Sequence, residues 1–177
     1  MADFDWTVLI PVAAGLLGTL IGSGVSYFAQ IRTREADLSE RRRSLAHALA
    51  AEIEVFQRIV ARRDIPGRCQ AAADSARAGN ENAFREWLTE QDGKMEILPI
   101  YQANLGNIGL LGPACVDLVT FVGHIEAILT TIRGVHEGLY DNLDGEQVAD
   151  LFEGELELWR VSEKLATKVI ADLRAIT

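Results

Sequence analysis

Side chains able to do acid–base or metal chemistry are few and scattered along this chain. The three histidines, His47, His124 and His136, fall on different predicted helices or several turns apart. None stands in a Glu-x-x-His or His-Glu-x-x-His arrangement, the spacing that puts two metal ligands on one helix face. Asp117 and His124 share a face two turns apart and form the one candidate polar pair; such a pair serves a solvated surface more often than a proton relay. Cys69 and Cys115 belong to no Cys-x-x-Cys motif and read as reduced, packed thiols. No catalytic residue, metal site or cofactor is expected.

Two further patterns invite a ligand and fail on detail. The triplet Gly106-x-x-Gly109-x-x-Gly112 has the glycine content of a phosphate loop, but no Gly-Lys-Ser/Thr follows and no strand precedes it. Turns or close packing explain it better. The acidic run Asp141-Asn142-Leu143-Asp144-Gly145-Glu146 places Leu143 where a calcium loop needs an oxygen ligand, so a turn followed by a helix cap is the reading.

The strongest signal concerns placement. Residues 6–31 contain no Asp, Glu, Lys, Arg or His. A helix of roughly 20 apolar residues crosses a hydrocarbon core of ~30 Å, so this stretch predicts a membrane span. Pro11 falls in its first turns, where a missing N–H costs little, and Trp6 and Tyr27-Phe28 suit the two interfaces. Asp3 and Asp5 precede the span, whereas Arg32, Arg34, Arg41, Arg42 and Arg43 follow it. That order is the reverse of a cleaved signal peptide and predicts an N-terminus outside and a cytoplasmic C-terminal part at the cell (inner) membrane. The expected organisation is a short extracytoplasmic N-terminus (1–5), a transmembrane helix (6–31) and a cytoplasmic helical domain (32–177).

Within the span, Ala14, Gly18, Gly22 and Ser26 recur every four residues. Small side chains let a second helix approach closely where lipid offers no hydrophobic drive, so this stripe predicts self-association or pairing with another membrane protein. The arginines beyond it read as a solvated topology signal, with attraction to anionic headgroups as the alternative.

The rest is read as all-α. Leu38, Leu45, Leu49, Ile53, Phe56 and Val60 form a stripe on a helix that continues from the span until Pro66-Gly67 breaks it. An Ala-rich helix over residues 68–78 should end at Gly79, and another, capped by Asn80, should carry Phe84, Trp87 and Leu88. Residues 94–112 predict a buried crossover with one helical turn over 100–105. Pro113 opens a helix with Leu118, Phe121, Val122, Ile125, Leu129, Ile132 and Leu139 on one face, ending near Tyr140. Asp144 caps a last helix with Val148, Phe152, Trp159, Ala166, Val169, Leu173 and Ile176 inward and a Glu-rich outer face. Short connections between long helices predict an antiparallel three- or four-helix bundle below the membrane helix.

The stretch Tyr101-x-x-Asn104-x-x-x-Ile108-Gly109-Leu110-Leu111-x-Pro113, followed by the helix holding Phe121, resembles a pattern in uncharacterised small bacterial and phage-associated single-pass membrane-anchored proteins. The resemblance implies one N-terminal span before a helical region. It implies no activity.

From Asp64 onward nineteen acidic residues face nine basic ones, whereas residues 32–63 hold eight basic and five acidic. The membrane-distal part should therefore repel nucleic acid, while its acidic faces could meet basic proteins. The leading expectation is a membrane-tethered interaction or scaffold protein that is not an enzyme. A membrane-active oligomer, as a pore component or an effector in phage–host conflict, is the alternative, and an enzyme subunit comes third.

Overall fold

The computed structural model describes residues 6–80 and 98–176, with only the backbone given for residues 6–22 and 24. Every regular element among them is helical: α1 (Trp6–Arg63), α2 (Ile65–Arg77), α3 (Pro99–Ala103), a 3-10 helix (Leu105–Leu111), α4 (Ala114–His136) and α5 (Gly145–Arg174). The chain divides into two compact units, Met1–Arg42 and Arg43–Thr177.

In the first unit, residues 25–30 are exposed on α1, and the Tyr27 and Phe28 rings meet edge to face at 6.2 Å. The expected span, residues 6–31, lies on α1, with most of its side chains outside the described residues. Among the described residues the helix long and apolar enough to cross a membrane is α4. The sequence pattern had placed α4 in the core, and Leu118, Phe121, Val122, Ile125, Leu129 and Ile132 are indeed buried. Length and composition select such a core helix as readily as a span.

The second unit is built on helical periodicity. Leu45, Leu49, Ile53, Phe56 and Val60 of α1 are buried, as their spacing requires, and small Ala46 and Ala50 fill in beside them. Leu38, counted in the same stripe, is 51% exposed, because burial of that face begins only at Leu45. α5 packs along both α2 and α4. Phe56 ties in α1: its ring makes a T-shaped contact with Phe121 of α4 at 6.2 Å and is stacked on Trp159 of α5 at 6.3 Å.

Helix ends follow local chemistry. α5 starts with a capping box in which the Gln147 N–H donates to the Asp144 carboxylate (2.9 Å) and the Asp144 N–H to the Gln147 side-chain oxygen (3.1 Å). Gly79, at φ +89°, follows the end of α2 as the C′ residue. Three expectations need correction. Pro66-Gly67 does not break α1; the break is at Asp64, in the left-handed region at φ +48°. Proline is tolerated in a first helical turn, so Pro66 helps start α2 instead of ending α1. α4 stops at His136, so Leu139 leaves the apolar face and is 69% exposed. The crossover is only partly buried: Leu98, Tyr101 and Leu111 are inside, Ile100 and Leu105 outside. The helix expected around Phe84, Trp87 and Leu88 lies outside the described residues.

Candidate functional site

The expected site residues fall in both units. Ala14, Gly18 and Gly22 stand on the α1 backbone with side chains outside the described residues, and Ser26 is exposed. Arg32, Arg34, Arg41 and Arg42 are exposed in the first unit and Arg43 in the second. Asp117 and His124 share α4, but the Asp117 carboxylate takes Lys168 of α5 as its partner, and Lys168 also pairs with Asp172 at 3.0 Å. The His124 Nδ1 is buried without a hydrogen-bond partner among the described residues. Asp117 is thus held as a link between two helices. Ion pairs of Arg77 with Glu153 and of Arg174 with Glu54 join α5 to α2 and α1 in the same way. All are solvated at one end or both, which fixes register more than it adds stability.

Both cysteines are free thiols. Cys69 is buried on α2, and desolvation, followed by the negative charge of Glu155, pushes its thiol up to about 12. A thiol that stays protonated is a poor nucleophile. Gly106 and Gly109 have open space where a Cβ would stand, so close packing does not explain them, whereas Gly112 turns the chain at φ +63°. Among the described residues no group of three or more His, Cys, Asp or Glu side chains could hold a metal ion.

Glu155 departs from the Glu-rich outer face assigned to α5. It is partly buried, one carboxylate oxygen lacks a partner among the described residues, and burial raises its pKa against a weaker opposing hydrogen bond from Thr131. A carboxyl with a raised folded pKa contributes most below its unfolded pKa, and that contribution is lost as pH rises through the folded value. Glu155→Gln is therefore expected to raise stability at pH 7 by on the order of 1 kcal/mol, reduced by the remaining solvent screening. The gain should vanish below about pH 4. Thermal melts of both proteins across that range check this, and a gain independent of pH would refute it.

The described residues do line an open cavity of about 290 Å³ where α1 gives way to α2. Phe56, Phe121, Ile125 and Trp159 supply apolar walls from α1, α4 and α5, and Asp64 and Glu163 bring carboxylates. Asp64, in the left-handed turn between α1 and α2, is exposed, and its side chain accepts no cap hydrogen bond from α2. It lies against Gly67 where any Cβ would collide, so the glycine makes room for it. Ser162, also in the wall, donates its hydroxyl hydrogen to the Leu158 carbonyl at 2.7 Å. The Trp159 indole N–H is buried without a partner among the described residues, unusual for a buried tryptophan. Residues 56 to 166 contribute, from three long helices and the start of a fourth, and no local motif announces such a site.

No protein-family model, curated protein or solved structure matches the chain.

Proposed function

We propose that the chain is a membrane-tethered interaction or scaffold protein. Its N-terminal helix anchors it and self-associates through the Ala14-Gly18-Gly22-Ser26 stripe, and its helical region engages protein partners as a cytoplasmic bundle. The observation that carries this reading is the charge-free stretch of residues 6–31, followed directly by Arg32, Arg34 and the Arg41-Arg42-Arg43 cluster. An apolar length sufficient for a bilayer and a one-sided basic flank support a single span with the larger part inside. Acidic helix faces beyond Asp64 favour basic partners over nucleic acid.

The test joins fractionation with crosslinking in the membranes of cells producing the full chain. The protein should resist alkaline extraction, its C-terminus should be protected from protease added outside, and crosslinking should give homo-oligomers. Gly18→Leu with Gly22→Leu should abolish the crosslinked species while leaving membrane retention intact. Release by alkali sinks the tether, and unchanged crosslinking in the double variant sinks the stripe.

A further inference from the structure

The cavity at the α1–α2 break lies within the unit Arg43–Thr177, so its chemistry stands apart from the membrane reading. Its volume, about 290 Å³, is at the lower end of small-molecule pockets, roughly 300 Å³, and can take a compact ligand. Aromatic rings dominate the walls. Phe56 and Trp159 are stacked with 19° between their planes, and Phe121 meets Phe56 at 82°. Such walls offer apolar and aromatic contact area.

The charged part of the lining has one sign among the described residues, and Gln57 and the Trp159 indole N–H are its neutral donors. Asp64 and Glu163 carry negative charge, and among the described residues no Lys, Arg or His lines the cavity. No ion pair among the described residues engages either carboxylate. Ser162 has spent its hydrogen within α5, so its oxygen can only accept. An anion would meet two carboxylates. A neutral apolar molecule would leave them unused, and a bare metal ion would find ring faces in place of further oxygen ligands. A cation with an apolar body meets both the charge and the walls.

We propose that this cavity binds a small organic cation, a quaternary or protonated ammonium with an aromatic or branched apolar body. The body packs on Phe56, Phe121 and Trp159, and the charge is held by Asp64 and Glu163. Asp64 is set at the rim by the same left-handed turn that ends α1.

Benzyltrimethylammonium is a suitable probe, with benzyl alcohol and benzylsulfonate as neutral and anionic counterparts. The full chain in nanodiscs of zwitterionic lipid would be titrated by saturation-transfer NMR, with empty nanodiscs subtracted. The cation should bind saturably and at least about tenfold more tightly than either counterpart. Asp64→Asn combined with Glu163→Gln should weaken it by about tenfold while leaving benzyl alcohol unaffected. Both replacements suit their sites: asparagine accepts the left-handed conformation and Glu163 is exposed on a helix. An unchanged circular-dichroism melt would confirm that the double variant is folded, and the single Glu163→Gln variant gives the same reading should the melt shift. Absence of saturable binding up to about 10 mM, equal affinity for all three probes, or an unaltered affinity in the folded charge variants would overturn the proposal.

Discussion

Replacing Phe121 with alanine is expected to cost the helical unit about 3–5 kcal/mol, the range for removing a buried aromatic ring. Phe121 is 1% exposed on α4, and its ring meets that of Phe56 from α1 in a T-shaped contact. Phe56 in turn stacks on Trp159 from α5, so one deletion loosens the point where three helices meet. A domain of this kind has about 5–15 kcal/mol in hand, and the variant should lose much of it. Phe121→Leu, which keeps most of the volume, should cost less than about 1.5 kcal/mol. Chemical unfolding of the full chain followed by far-UV circular dichroism separates the two. A loss under about 1 kcal/mol for Phe121→Ala would show that the ring cluster is not the core that its burial indicates.

That cluster was legible because burial is periodic. Phe56, Phe121 and Trp159 each occupy the inward position of a 3.6-residue repeat, and the repeat alone assigns them to a core. The same rule misplaced Leu38 and Leu139, for a shared reason. Periodicity marks a face of a helix but carries nothing about where neighbours begin along it, and α4 ends before Leu139 is reached. Asp64 illustrates a different gap. Pro66-Gly67 marks a boundary region, yet proline is equally at home just inside a new helix, so the strained residue fell two positions earlier.

The candidate site was almost illegible. Single-element patterns can pair Asp117 with His124, but they cannot see Lys168, fifty-one residues on, which takes the carboxylate. Glu155 sits among glutamates on a face that looks solvated, and only its neighbours Thr131 and Cys69 reveal that it is partly enclosed. The cavity is harder still: its aromatic walls read as core in each helix, and it lies beside the left-handed turn at Asp64. Cavities follow from how elements fail to fill space together, and no repeat or motif encodes that.

The largest effect outside the core is expected at Glu52, where the same long-range logic governs a helix start. α3 has five residues and begins after Leu98, whose side chain has no acceptor and whose φ of +44° places it in the left-handed region. The amides opening α3 therefore need an acceptor from elsewhere. Glu52 of α1 provides it: the Ile100 N–H donates to one carboxylate oxygen at 2.5 Å and the Tyr101 N–H to the other at 3.0 Å. Hydrogen bonds to a charged acceptor contribute about 1.5–3 kcal/mol each in favourable cases, and the Tyr101 amide is partly buried. Glu52→Ala should thus cost about 2 kcal/mol and speed hydrogen exchange at Ile100 and Tyr101 well beyond that at Leu118 or Ile125 in the core of α4. Glu52→Gln retains one acceptor oxygen without the charge and should lose roughly half as much. Exchange rates at Ile100 and Tyr101 that do not change in Glu52→Ala would mean that α3 is held by the burial of Leu98 and Tyr101 alone. If those rates rise while α4 keeps its protection, α1 acts as a cap at a distance, fixing the crossover that leads into α4.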